Sequence, residues 1–262
     1  RRIIERQLGK PDLNELDYLL YAPDDRAGAL GFGLGQHPPA PRRKFNQTIE
    51  LARLQAIADA ILKDEELPKE EVTSQVEELI LAGTSMGGAR PKVVVEDKNG
   101  LWLAKFNQYD DKWNNATVEH AMLNLARNCG IITVQSKVVR VANRDVLLVK
   151  RFDREKVKQG YIRARMVSAF TLLRTEDNHR SRENWSYPLL AEELRRVCAE
   201  PRKDATELFK RMCFNALVSN SDDHPRNHAI IAKNKNWELS PAYDLTPTNP
   251  VSLERRDLAL NC

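Results

Sequence analysis

Near Asp153 the apolar residues of this chain change their period, from the two-residue alternation of strands to the 3.6-residue repeat of helices. Upstream, residues 92–96 and 101–106 form one strand-like pair and residues 134–141 and 146–152 a second. Asp97-Lys98-Asn99-Gly100 and Asn143-Arg144-Asp145 stand at the turns. The Asn-Gly step is a strong hairpin signal, because both residues tolerate the positive φ of tight hairpin loops. Between the pairs, residues 116–129 carry helical spacing, and Gly130 is placed to end that helix as a C-cap. Downstream, residues 164–173 and 188–219 are helical in pattern, followed by a short strand pair, 229–232 with 237–239. A β-rich half with one helix, then a helical half with one small hairpin, predicts an α+β fold of two lobes.

The 262 residues allow one large core or two modest ones. We place an N-terminal subdomain and linker helix at 1–66, a β-rich lobe at 67–152 and a helical lobe at 153–262. In the first segment Gly28, Gly31, Gly33 and Gly35 read as turn glycines. They lack the G-x-G-x-x-G spacing of a nucleotide loop, and prolines rather than a helix follow them. From Thr48 to Leu62 the apolar residues repeat at helical spacing, and 76–81 form a further helical stretch. The chain opens at Arg1 without a methionine and closes in an apolar stretch, so a fragment is expected, incomplete at both termini. Its 41 basic and 37 acidic residues balance to +4, too even a charge to argue for nucleic-acid binding. Cys129, Cys198, Cys213 and Cys262 are scattered without a C-x-x-C pair, and neither a membrane-length apolar run nor a signal-peptide pattern is visible. A reduced, cytoplasmic setting without membrane attachment is expected.

Chemistry concentrates in Asn220-Ser221-Asp222-Asp223-His224-Pro225-Arg226-Asn227-His228. Asp222 and Asn227 stand in a D-x-x-x-x-N relation. A fixed carboxylate can take the proton of a substrate hydroxyl, and a neutral amide oxygen close by can hold Mg²⁺; this is the catalytic-loop spacing of protein kinases. Alone, the spacing also suits an ordinary loop, since Asp and Asn are common turn residues. After the strand pair comes Ala242-Tyr243-Asp244-Leu245, with an acid where kinases hold the metal that bridges the nucleotide phosphates. The order acid, amide, hairpin, acid is much more specific than either end. Lys105, inside the apolar run 101–106, reads either as a snorkelling strand lysine or as a contact to the α- and β-phosphates. Glu119, on the next helix, is its candidate charge partner. Gly87-Gly88-Ala89-Arg90-Pro91-Lys92 reads either as a plain turn or as a small-residue loop whose backbone N–H groups approach phosphates, with Arg90 and Lys92 beside it.

Ser85-x-Gly87-Gly88-Ala89-Arg90-Pro91-Lys92, Ala104-Lys105-Phe106, Val118-Glu119, Arg151-Phe152-Asp153-Arg154, Ser221-Asp222-Asp223-His224-x-x-Asn227 and Ala242-Tyr243-Asp244-Leu245 follow one another in the order of the HipA-like kinases. The chain resembles this family, the toxins of bacterial toxin–antitoxin systems, from about Gly28 to Asp257. The resemblance implies a bilobal protein-kinase-like fold with a β-rich N-lobe and a helical C-lobe. It implies a serine/threonine protein kinase using ATP and Mg²⁺, with Asp222 as catalytic base and Asn227 and Asp244 as metal ligands. Lys105, Glu119, Gly87, Gly88, Arg90, Lys92 and His224 would then serve the nucleotide. Ser85 falls where some members autophosphorylate, with Thr84 adjacent. The expected partners are a HipB-like helix-turn-helix antitoxin, through which DNA is contacted, and a protein substrate, in the best-known case an aminoacyl-tRNA synthetase. A homodimer within the toxin–antitoxin complex is a further expectation. One departure is Asp223, a second carboxylate where the family often has a small residue or Asn.

Two other readings stand beside this one. Asp222, Asp223, His224 and His228 could serve a metal-dependent hydrolase, although Pro225 opposes a helix that would align the two histidines. Alternatively, a catalytically silent member would act as a nucleotide-binding or antitoxin-binding module.

Overall fold

The computed structural model describes residues 9, 12–21, 26–37, 46–47, 51–52, 54–55, 92–108, 111–141, 143–178, 181–248 and 258–261. The loop 83–91, with Ser85, Gly87, Gly88 and Arg90, and the helical stretch 76–81 lie outside these residues. Of the helix read from Thr48, the described residues Leu51, Ala52, Leu54 and Gln55 are helical. The chain divides into two compact units, Arg1–Ala116 with Lys137–Ile162, and Thr117–Ser136 with Arg163–Cys262.

The first unit is built on a five-stranded sheet. Its strands are β1 (Asn46–Gln47), β2 (Lys92–Asp97), β3 (Gly100–Phe106), β4 (Ser136–Val141) and β5 (Arg144–Lys150), in the order β1-β2-β3-β5-β4. A short helix, α1 (Glu15–Tyr21), precedes it. The first hairpin forms as expected, but its glycine plays a different part. Lys98 and Asn99 make the turn, while Gly100 already pairs with Asp97 at a φ of 119°. The Asp97 carboxylate accepts the Asn99 N–H at 2.8 Å, so an Asx turn bends the chain one residue earlier than the Asn-Gly step suggests. At the second hairpin Asn143 supplies the left-handed residue, with φ 67°.

Side-chain alternation gives the sheet two unlike faces. Trp102, Ala104 and Phe106 pack with Val93, Val95, Val146, Leu148, Leu51 and Leu54 into one buried cluster. Each such large apolar side chain contributes roughly 1.5–3 kcal/mol through burial. On the same alternation Leu101, Leu103 and Lys105 belong to the other face, with Lys105 half-buried and opposite both Lys92 and Leu147.

A buried ion cluster fastens residues 26–28 to the end of β5. The Asp153 carboxylate accepts Arg151 Nε at 2.7 Å, Arg151 Nη2 at 2.8 Å, Arg154 Nη1 at 2.7 Å and the Gly28 N–H at 2.9 Å. Gly28 has φ 79°, and its carbonyl accepts Arg154 Nη1 at 2.9 Å, which bears out its reading as a turn glycine. Burial alone would raise the Asp153 pKa, but Arg151, Arg154 and the Gly28 N–H hold it at about 2. A lowered folded pKa stabilises above the unfolded value and loses that contribution as pH falls toward the folded one. The cluster should therefore lose about 2 kcal/mol of stability between pH ~4 and ~2. Urea unfolding of Asp153→Asn should lack this acid dependence, and equal slopes in variant and wild type would remove Asp153 as its source.

In the second unit α2 (Asn115–Asn128), which begins at the edge of the first, ends at Gly130 with φ 76°, as its C-cap reading requires. The region read as helical over 164–173 is instead a strand followed by one helical turn. A two-stranded ribbon, β6 (Arg154–Val157) with β7 (Gly160–Arg163), lies almost wholly in the first unit; after it, β8 (Arg165–Ser168) pairs antiparallel with β9 (Ala229–Ala232). β10 (Glu238–Leu239) completes that sheet. Ser168 then caps the short helix α3 (Ala169–Leu172). Ladder pairing to a strand some 60 residues away overrides the local helical spacing here. The long pattern 188–219 splits into α4 (Tyr187–Val197), capped by Ser186, and α5 (Pro201–Leu217), with Pro201 in its first turn. Tyr187, Leu190, Leu194, Leu208, Ile230, Leu239 and Leu260 form the core between these elements.

Candidate active site

The segment after α5 turns sharply at Ser219, whose φ is 58°. Asn220 is then held by Asn215, its N–H on the Asn215 carbonyl at 2.9 Å and its amide nitrogen on Asn215 Oδ1 at 3.1 Å. Asp222 follows, exposed, and its carboxylate receives no hydrogen bond among the described residues. Its backbone carbonyl is occupied, accepting the His224 N–H at 2.9 Å and Asn227 Nδ2 at 3.2 Å. That second bond fixes the Asn227 amide, so its Oδ1 is the atom left as acceptor. Pro225 opens a single 3₁₀ turn, Pro225–Asn227, with buried Asn227 at its end.

Asp223 behaves oppositely to its neighbour. It is 1% exposed and bonded to His228 Nε2 at 3.0 and 3.1 Å and to the Tyr187 hydroxyl, which also accepts Asn215 Nδ2 at 3.3 Å. The Tyr187 and His228 rings meet edge to face at 5.6 Å. Burial would raise the Asp223 pKa, but the His228 imidazole and the bonds from His228 and Tyr187 hold it below the usual carboxylate value. The extra acid beside Asp222 is thus a buried structural carboxylate. Both Asp223 and His228 are committed to each other, and His224 and His228 flank the 3₁₀ turn at its two ends. Among the described residues no three His, Cys, Asp or Glu side chains form a metal-holding group. These findings count against the hydrolase arrangement. His224 is half-buried, and its Nδ1 has no hydrogen-bond partner among the described residues.

Asp244 lies in the left-handed region, with φ 59°. A non-glycine residue there costs of order 1–3 kcal/mol and persists only where its surroundings fix it. The segment around it is laced to the loop on both sides. The Tyr243 hydroxyl donates to the Arg226 carbonyl at 2.9 Å, joining the neighbours of Asp244 and Asn227. The Thr248 N–H donates to the Ser219 carbonyl at 2.9 Å, and Thr248 Oγ1 accepts the Ser221 N–H at 3.1 Å. Asp222, Asn227 and Asp244 are therefore carried by two segments bonded to each other at two points. No sequence signal marks Tyr187, Tyr243 or Thr248 for these parts, since each acts through a bond to a residue distant in the chain.

The remaining predicted residues fall elsewhere. Lys92 and Lys105 face each other across β2 and β3 in the first unit. Glu119 is buried on α2 in the second. Like charges directly opposite on a ladder repel unless something negative sits by them, and both lysines have electrostatic or hydrogen-bonding partners in the protein.

A sheet carrying a strand lysine, and a helical unit carrying an acid–amide loop, a strand pair and a second acid, define the protein-kinase-like class of α+β fold. The model of the HipA-like C-terminal domain matches residues 84–262, and the chain belongs to that family. It is similar to two proteins of Sinorhizobium fredii. One, named "Putative kinase Y4mE", is 27% identical over 133 residues, half of this chain and 32% of the relative. The other, named "Putative kinase Y4dM", is 26% identical over 186 residues, 64% of this chain and 42% of the relative. The chain thus spans well under half of either relative's length. Among solved structures it is similar to HipA of Shewanella oneidensis, in a complex with HipB and operator DNA. That match has a TM-score of 0.70 and 18% identity, and covers 99% of this chain and 63% of the other. The Helicobacter pylori proinflammatory kinase CtkA matches 61% of this chain and 55% of its own at a TM-score of 0.50 and 18% identity. Among the described residues no helix is long and apolar enough to cross a membrane.

Proposed function

We propose that this chain is the catalytic part of an ATP- and Mg²⁺-dependent serine/threonine protein kinase acting as a HipA-like toxin. The observation that carries this reading is the contrast within the loop: Asp222 keeps an exposed carboxylate that receives no hydrogen bond among the described residues, while the Asn227 amide is oriented by its bond to the Asp222 carbonyl, which leaves its oxygen as the acceptor. The donor set fits the metal. Mg²⁺ in nucleotide sites is commonly held by one or two carboxylates together with substrate phosphates, and an amide oxygen with one acid matches that requirement. When bound, Mg²⁺ neutralises charge on the transferring phosphate.

The chain's own residues have distinct parts. Asp222 orients the attacking hydroxyl and accepts its proton as the oxygen bonds to phosphorus and the bond to the leaving ADP breaks. Asn227 and Asp244 hold the metal through oxygen. Lys105, Lys92 and Glu119 are assigned to the nucleotide, as the family pattern implies. So are His224, Gly87, Gly88 and Arg90, and the same pattern assigns Ser85 to self-phosphorylation. The names of the curated relatives and the kinase-like fold support the reaction class. The HipA neighbour, solved with HipB and operator DNA, supports a HipB-like antitoxin as partner. A protein target, such as an aminoacyl-tRNA synthetase, and a homodimer within the complex belong to the same proposal.

The test is transfer of labelled γ-phosphate by the chain with Mg²⁺, with phosphosites mapped by mass spectrometry. Label is expected on Ser85 and on a protein substrate. Asp244→Ala should weaken Mg-ATP binding and turnover together; an unchanged Mg²⁺ dependence would take Asp244 out of the ligand role. Binding of Mg-ATP without any transfer would favour a silent nucleotide-binding module.

A further inference from the structure

A buried ion pair on α5 is bonded to the segment that leads into Asp244. Arg211 is 1% exposed and Glu207 7%, one turn apart on α5, with Arg211 Nε and Nη2 on Glu207 Oε1 at 3.2 and 3.1 Å. Buried pairs of this kind are poor sources of stability, since desolvation offsets most of the attraction. Their remaining hydrogen-bonding capacity shows what else they hold. Arg211 Nη2 donates to the Ser240 carbonyl at 2.7 Å, and Glu207 Oε1 accepts the Ile132 N–H at 2.9 Å. The two segments so gripped are bonded to each other. The Ala242 N–H donates to the Ile132 carbonyl at 2.8 Å, the Val134 N–H donates to the Ala242 carbonyl at 3.0 Å, and Thr133 bridges Ala242 in parallel.

We infer that Glu207 and Arg211 are positioning residues that hold Asp244 in its metal-binding conformation. The inference rests on the kinase reading of the same site. Arg211 fixes the backbone at Ser240, and Glu207 fixes it at Ala242 through Ile132. The chain therefore enters Tyr243 and Asp244 along one path, and the Tyr243 bond to Arg226 closes the far side. With its approach fixed, Asp244 is held at φ 59°, a region that aspartate tolerates better than most non-glycine residues but that still carries a conformational cost. A planar guanidinium is needed because one side chain must grip a carboxylate and a carbonyl in fixed relative directions, which a lysine ammonium does not reproduce.

The test compares wild type, R211K, D244A and R211K/D244A as the full chain. In nucleotide-free protein, R211K should speed amide exchange at Ile132 and Ala242 by about tenfold or more, because the bracket opens locally. The Mg²⁺ midpoint for ATP binding should rise by about 10–100-fold, as for other residues that orient a metal ligand. In the D244A background R211K should shift that midpoint no further, because both act through one group. Unchanged exchange at Ile132 and Ala242 in R211K overturns the bracket. Faster exchange with an unchanged midpoint, or an additive shift in the double variant, overturns its route through Asp244. Wild type that binds no nucleotide with Mg²⁺ overturns the kinase reading itself, and with it the metal role assigned to the bracket.

Discussion

Asp222→Asn is expected to lower phosphoryl transfer about 10²–10⁴-fold, the usual contribution of a positioned general base. ATP binding and thermal stability should stay close to wild type. The asymmetry follows from the surroundings of the side chain. Its carboxylate is exposed and receives no bond among the described residues, so the substitution breaks no internal contact there. The bonds that shape the loop use the Asp222 carbonyl, which asparagine retains. Single-turnover transfer with bound ATP separates the effect on chemistry from any on binding. Transfer at the wild-type rate would take Asp222 out of the base role, and a large fall in melting temperature would make the residue structural instead.

Asp223→Ala, one position along, should do the reverse. We expect a loss of about 3–5 kcal/mol in folding stability, the cost of removing one partner from a buried charged network. The substitution leaves the Tyr187 hydroxyl and His228 Nε2 without their shared acceptor in a site closed to water. Asp223→Asn, which keeps an oxygen, should cost less. Urea unfolding midpoints of the two variants measure the difference. At temperatures where the Ala variant remains folded, its transfer rate should fall far less than that of Asp222→Asn. If Asp223→Ala unfolds no more readily than wild type, the network is not what secures the loop.

These neighbouring acids show how much of the site is legible in the residues alone. The D-x-x-x-x-N spacing and the later acid mark the right segments, because their order along the chain survives folding. Spacing does not tell which of two adjacent carboxylates is available. That depends on Tyr187, 36 residues upstream, and on His228, whose ring turns Asp223 inward. The departure at Asp223 looks like a second candidate acid in the sequence and is a buried anchor in the fold.

The fold divides in the same way. The helix read over 116–129 forms over Asn115–Asn128 and stops at Gly130, because helical spacing and a C-cap glycine act within a few residues. Both hairpins of the first sheet and the strand pair after the loop form within about two residues of where local alternation places them, although Arg144 and Asp145, read as turn residues, already belong to β5. Residues 164–173 defeat the same reasoning, since Met166 and Val167 pair with Ile231 and Ile230 and the ladder decides the backbone. The break between α4 and α5 is visible in hindsight at Pro201, yet the apolar repeat runs through it.

By itself the sequence determined the order of elements, the periods of their buried faces and the family-wide pattern of acid, amide and lysine. Those features depend on dihedral preference and on side chains a few positions apart. Only the tertiary structure decided that Asp222 is exposed while Asp223 is spent on His228 and Tyr187, and that the carbonyl of Asp222 orients Asn227. It also decided the left-handed backbone of Asp244, behind a segment gripped by Arg211 and Glu207. Burial and hydrogen-bond commitment are set by partners tens of residues away, and no local pattern encodes which distant group will arrive.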